Sequence, residues 1–174
     1  DWTFTITPAL ADGTYALTAT AEDAAGNDSG ASAAVDLTID ATAPSVSISV
    51  PANGSSTADT TPAITFSVTE VNPDLTECRV DGGSWAACTS GDSLAALTDG
   101  SHTLDVRHTD DAGNVGSASS TFTVDTTAPS SPVITSPTSG SSTSDTTPDV
   151  TGTPEANSTV TVFVDGSPVG TTTR

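Results

Sequence analysis

The sequence of 174 residues contains no lysine and no methionine, and sets three basic residues against 22 acidic ones, for a formal net charge of −19. A nucleic-acid binder needs a basic face to neutralise phosphates, so that class is excluded. The same charge argues against docking on anionic membranes. No apolar run approaches the ~18 residues of a membrane span, and no signal peptide is visible. We expect no nucleic-acid partner and no membrane insertion of this segment. A chain without methionine does not begin at a translation start, and reads as a processed or excised piece. Aromatic residues are only 4 % of the chain, and helix signals are nearly absent.

What remains is rich in serine and threonine. High net charge with few bulky apolar residues is the composition of a disordered chain, but the patterning opposes that. Short β-branched runs alternate strictly with polar residues, and turn residues separate them at regular intervals. The class is all-β, built from short-stranded units, with length for about two domains.

An internal repeat organises the chain. Asp40-Ala41-Thr42-Ala43-Pro44-Ser45 recurs 85 residues later as Asp125-Thr126-Thr127-Ala128-Pro129-Ser130. Gly54 to Pro62 recurs as Gly140 to Pro148, 86 residues on, and Asp12-Gly13 as Asp99-Gly100, 87 residues on. Asp23-Ala24-Ala25-Gly26-Asn27 is matched by Asp110 to Asn114, and Val80-Asp81-Gly82 by Val164-Asp165-Gly166. Residues 41–125 are therefore one complete repeat. Residues 1–40 match only the C-terminal half of a repeat, and residues 126–174 only the N-terminal half. Such ends fit a window cut from a tandem array. That is the simplest reading; the sharper alternative is half-domains completed by neighbouring chains through strand donation, giving a head-to-tail fibre.

Within the complete repeat, Val46, Ile48 and Val50 alternate with serine, and Ile64, Phe66 and Val68 with polar residues. Glu70 to Thr76, with an Asn-Pro step inside, reads as a loop. Cys78 and Val80 lie on a strand that turns at Asp81-Gly82-Gly83 and returns over Trp85 to Cys88. Leu94 and Leu97 mark a further strand. His102, Leu104, Val106 and His108 share one strand face, Asp110 to Gly116 is a hairpin loop, and Phe122 and Val124 end the last strand. Seven short strands with frequent turns describe an immunoglobulin-like sandwich. Leu10 to Tyr15 resembles its tyrosine corner, where the complete repeat carries His102 in place of Tyr15.

The Asp-x-Thr-Ala-Pro linker, the Asp-Thr-Thr-Pro segment, the Asp-Gly-x-Tyr corner and the Asp-x-Ala-Gly-Asn hairpin together resemble the bacterial immunoglobulin-like repeats of giant secreted surface adhesins and biofilm proteins. The resemblance covers the whole chain. It implies tandem sandwiches of about 85 residues, a spacer role at the cell surface or outside the cell, neighbouring repeats as partners, and calcium at domain junctions. Cys78 and Cys88 around a Gly-Gly hairpin also resemble a disulfide-bearing subset. Centred on Gly83, the two would face each other across the hairpin, where a bridge would contribute about 2–3 kcal/mol. Two buried free thiols are the alternative. Neither histidine lies in a zinc-type spacing with them.

The sandwich topology predicts two acidic constellations. At the first junction, Asp40 meets Asp110, Asp111 and Asn114, with Glu70, Asn72 and Asp74 near and Asp12 rising from the preceding loop. At the second, Asp125 meets Asp59 and Asp99, with Glu155 and Asn157 following. Carboxylates crowded within a screening length of ~10 Å repel, and a hard cation with roughly six to eight oxygen ligands relieves this. Calcium is the candidate. The competing reading is that Asp23 and Asp110 simply accept hydrogen bonds within their own turns.

No catalytic motif is present. His102 and His108 lie ~20 Å apart along one strand and cannot share a metal. We expect no enzyme. A carbohydrate-binding accessory module of a secreted hydrolase is the other alternative. It needs an exposed aromatic platform, for which Trp85 is the candidate, although an indole there could instead cover the core edge.

Overall fold

The computed structural model describes residues 1–70 and 73–173, with the backbone alone for residues 73 and 74. Asn72 and the Asp74 side chain thus lie outside the described residues. Every regular element described is a strand: β1 (Gly13–Leu17), β2 (Val35–Ile39), β3 (Ser45–Val50), β4 (Ser56–Thr57), β5 (Thr65–Thr69), β6 (Pro73–Val80), β7 (Ala86–Ala87), β8 (Gly100–Asp110), β9 (Val115–Val124), β10 (Val133–Ser136), β11 (Thr151–Thr153), β12 (Thr159–Val164) and β13 (Ser167–Thr173). They fall into two compact units, Asp1–Thr126 and Thr127–Arg174.

The first unit holds the sandwich. One layer is the antiparallel pair β3–β5; the other has five strands in the order β4-β9-β8-β6-β7. Alternation decides the layers. Leu104, Val106, Phe122 and Val124 point inward from β8 and β9, meeting Ile64 and Cys78, and Val46, Ile48, Phe66, Leu94 and Leu97 close the core. Each large apolar side chain buried there contributes roughly 1.5–3 kcal/mol. This is an immunoglobulin-like β-sandwich. Residues 1–40 add one antiparallel hairpin, β1–β2, with Tyr15 opposite Leu37. The second unit has two hairpins, β10–β11 and β12–β13.

Several details differ from the sequence reading. The Glu70–Thr76 segment is not all loop, because β6 already begins at Pro73 and pairs Leu75 with Thr109. Proline lacks a donor but is accommodated as the first residue of a strand. The Leu94–Leu97 segment forms a single bridge, Ala63 to Ser93, plus Leu94 N–H to the Pro62 carbonyl and Leu97 N–H to the Thr60 carbonyl. Its leucines reach the core without a continuous ladder.

The cysteines are bridged, but diagonally. Cys78 stands opposite Ala86, and the Cys88 N–H bonds the Thr76 carbonyl, with the two Cα atoms 5.7 Å apart. The turn explains the offset. Asp81 and Gly82 both adopt left-handed backbone, at φ 51° and 70°, and Gly83 N–H closes on the Val80 carbonyl at 2.9 Å. That is a two-residue type I′ turn. It centres the hairpin between Asp81 and Gly82 rather than on Gly83, and a further residue before β7 sets the final register.

Candidate functional site

The Asp-x-Ala-Gly-Asn turns are built twice in the same way. Asp110 Oδ1 accepts from the Ala112 and Asn114 amides, and its Oδ2 from Asn114 Nδ2 at 2.9 Å. Asp23 Oδ1 and Oδ2 receive the matching bonds from Ala25 and Asn27. Both carboxylates thus hold their own turn, as the local reading expects. Asp110 is 2 % exposed. Burial pushes its pKa up, but the Asn114 side chain and the three turn amides outweigh that, so it stays below the ordinary carboxylate value.

Asn114 extends the turn to the linker. Its Nδ2 also donates to the Asp40 carbonyl at 3.0 Å, and the Asp40 Oδ1 accepts the Thr42 amide. The linker then runs beneath β9. Pro44 is buried, and its carbonyl oxygen passes where a Cβ on Gly116 would lie 1.9 Å away. Only glycine permits that approach. From the other side, Asp12 accepts the Ala41 amide at 2.9 Å and the Thr42 hydroxyl at 2.5 Å. The hydroxyl and then the amide hold the Asp12 pKa below its ordinary value.

This packing brings Asp40, Glu70 and Asp110 together. One carboxylate oxygen from each lies within 4.8 Å of the other two. The triad comes from a linker, the end of β5 and the end of β8. Beside it, an open cleft of about 620 Å³ is lined by Asp12, Asp40, Thr42, Ser45, Thr69 and Glu70. Three hard oxygen donors of net negative charge suit a divalent cation such as calcium, whose remaining positions water would fill. Asp111 is exposed and stands outside the triad.

The second constellation is arranged differently. Asp99 Oδ1 accepts the Thr126 amide at 3.1 Å, as Asp12 accepts the matching Ala41 amide, and takes the Thr126 hydroxyl at 2.8 Å where Asp12 takes that of Thr42 one residue further on. Asp59 Oδ1 accepts the amide and hydroxyl of Thr61, a local turn that Asp145 and Thr147 copy. The Asp125 amide donates to the Thr57 carbonyl. In the second unit, Glu155 Oε2 accepts the Ser130 amide and Asn157 has left-handed backbone. The Asp-Gly corners are thus linker clasps. The sequence carries the signal in the paired recurrence of Asp-Gly and Asp-x-Thr.

At the corners themselves, Tyr15 donates its hydroxyl to the Ala11 carbonyl at 2.8 Å. His102 makes the equivalent bond through Nε2 to the Thr98 carbonyl at 2.7 Å. The imidazole preserves the corner and adds a contact to Asp81.

Sequence reasoning missed one cluster. On the outer face of the five-stranded sheet, Trp85 carries the guanidinium carbons of Arg79 and Arg107 at 4.5 and 4.3 Å from its ring centroid. Arg79 pairs with Asp105 and Arg107 with Glu77, at 2.8 and 2.7 Å. The alternation that turns Cys78 and Val106 inward turns these four charges outward. Trp85 therefore packs on the outer face and does not cover the core edge. Ser117 and Ser119, opposite Arg107 and Asp105, continue this face in exposed hydroxyls.

A family model described as a bacterial Ig-like domain matches residues 1–41 and 49–126. A curated protein, chitinase A1 of Niallia circulans, is 38 % identical over 138 residues, which is 72 % of this chain and 19 % of that protein. The chain thus spans about a fifth of that relative's length. A solved structure of the fibronectin(III)-like modules of Clostridium thermocellum CbhA aligns with 67 % of this chain and 64 % of its own, at 18 % identity and a TM-score of 0.41.

Proposed function

This chain belongs to the bacterial Ig-like domain family, and on that premise we propose that it is a non-catalytic accessory module of an exported, polysaccharide-degrading bacterial protein. In this role it spaces neighbouring domains and offers the outer sheet face to glycan. The observation that carries the reading is the 38 % identity with a chitinase over 138 residues. The disulfide Cys78–Cys88 agrees with an oxidising, extracellular setting. A fixed indole flanked by paired guanidinium and carboxylate groups, with hydroxyls beside it, has the composition of a polar subsite for a neutral sugar. The test is retention of the 174-residue chain on insoluble chitin and cellulose. Retention that weakens in Trp85→Ala supports the reading, and passage through both polysaccharides removes the glycan role.

A second reading has its own support. The Asp40–Glu70–Asp110 triad sits where the linker enters the complete repeat, already gripped by Asp12 and Asn114. Calcium bound there would stiffen a tandem rod, the behaviour of an extender in a surface adhesin or biofilm protein. Small-angle scattering with calcium and with chelator separates the two. A profile that bends more in chelator favours the extender, and identical profiles remove it.

A further inference from the structure

We propose that Asn53-Gly54 is a self-modification site, which Thr121 holds closed in the folded repeat and which, once opened, deamidates and frees residues 51–57 from the edge of β9. The inference stands apart from the functional reading above. Asn53 is the one asparagine of five that is followed by glycine. Glycine has no side chain to hinder attack by its own amide nitrogen, and a Cβ built on Gly54 would meet nothing within 4 Å. Both residues are exposed, so water reaches them.

The chemistry needs only that water. The Gly54 amide nitrogen gives up its proton to solvent and attacks the Asn53 Cγ. The side-chain nitrogen takes a proton from solvent and leaves as ammonia, and a succinimide ring remains. Water then opens the ring at either carbonyl. One product is aspartate. The other is isoaspartate, in which the main chain runs through the former side chain and is longer by one methylene.

The fold opposes this at three points. Gly54 N–H donates to the Thr121 carbonyl at 2.7 Å, so the attacking nitrogen keeps its proton while that bond stands. Asn53 Oδ1 accepts the Thr121 amide at 2.9 Å, which fixes the side chain. Ser55 N–H closes on the Ala52 carbonyl at 3.0 Å, with Gly54 at φ 79° and Asn53 outside the positive-φ region. That is a type II turn, whose first central residue has ψ of about +120°. Ring closure needs the opposite sign, because the nitrogen must swing toward the side chain. The turn itself does not require asparagine. Thr138 to Ser141 repeats it through Ser139 and Gly140, again at 3.0 Å and φ 79°. What Asn53 adds is the bond to Thr121.

The same edge is anchored on both sides of the site. Ser120 Oγ donates to the Pro51 carbonyl at 2.6 Å, and the Thr123 amide to the Ser55 carbonyl at 2.9 Å. A methylene added at residue 53 lies between these anchors and shifts one of them out of register with β9. The site therefore reacts through local opening of residues 51–57, and conversion to isoaspartate makes the opening permanent.

The experiment incubates the whole chain near neutral pH, in buffer and in denaturant, and follows the amide-to-acid mass gain at residue 53 by peptide mapping. The expected result is conversion in the unfolded chain and a rate at least about tenfold lower in the folded one, the scale of two intact hydrogen bonds. Ser120→Ala removes the Pro51 anchor and should raise the folded rate severalfold. Hydrogen exchange should show the Thr121 and Thr123 amides losing protection in the isoaspartate product. Asn53→Asp should retain that protection, because its carboxylate still accepts from Thr121. Equal rates in the folded and unfolded chain overturn the proposal, as does an inert Asn53 in denaturant. So does a folded rate unmoved in Ser120→Ala, or an isoaspartate product as protected as Asn53→Asp. Trp85 fluorescence reports that Ser120→Ala is folded, and the wild-type comparison does not depend on that variant.

Discussion

His102 donates from Nδ1 to the Asp81 carboxylate across 2.7 Å while its Nε2 faces the Thr98 carbonyl, also at 2.7 Å. Both partners only accept, so both bonds form together only when the ring carries both protons. The Asp81 bond, and then the Thr98 carbonyl, raise the His102 pKa above 6.5. The His102 bond, and then the Thr103 amide, lower the Asp81 pKa below 3.8. The histidine's stabilisation is complete below pH 6.5 and is lost as pH rises through its higher folded value. The aspartate's is complete above pH 3.8 and is lost as pH falls through its lower folded value. Thermal melts should therefore show a plateau between these limits and a decline on either side. In His102→Tyr the corner bond persists as at Tyr15, and the alkaline decline should disappear. An unchanged alkaline decline in that variant would contradict the assignment.

Gly116→Ala should destabilise the complete repeat by about 2–3 kcal/mol, the usual scale for forcing a side chain into packed structure. The atom it would strike is the Pro44 carbonyl oxygen, at 1.9 Å, which is backbone and cannot rotate away. Denaturant titration reads the loss. A wild-type midpoint would mean that the linker does not run beneath β9.

Reducing the disulfide, or replacing both cysteines by alanine, should cost about 2–3 kcal/mol for a loop closed across 10 residues. The effect should also reach beyond the hairpin. The loop between the cysteines carries Asp81 to His102 and Trp85 to Arg79 and Arg107. Trp85 fluorescence and the pH dependence of melting should both change on reduction. Their constancy would show that the strands alone hold this loop.

Calcium should raise the melting temperature with an affinity of roughly 10⁻⁴–10⁻³ M, the range of extracellular modules. At tenfold saturation this is about 1.4 kcal/mol. Glu70→Gln should abolish the response without disturbing the Asp110 turn, whose bonds come from Ala112 and Asn114. Identical melts with calcium and with chelator would remove the site.

The fold was legible because its signals are local. Alternation in Val46 to Val50 and His102 to His108 assigns faces, and Asp81-Gly82 specifies a left-handed turn that few other pairs adopt. The candidate site was legible only in part. The spacing of Asp110 and Asn114 announces a self-bonded turn, and the linker Asp40 can be placed at the same pole. That Glu70 completes the triad while Asp111 points to solvent depends on where β5 and β8 end. A strand end is set by ladder partners and is not marked in the chain.

Repetition, alternation and turn chemistry, all carried by residues near one another along the chain, specify an all-β molecule of Ig-like repeats whose ends match halves of its middle. Folding alone decided the diagonal register of Cys78 and Cys88 and the meeting of Arg79 and Arg107 at Trp85. Each of these joins residues through strand register, and a shift of one residue in a hairpin moves a side chain to the opposite face. No local pattern determines such a shift; the packing of the whole sandwich does.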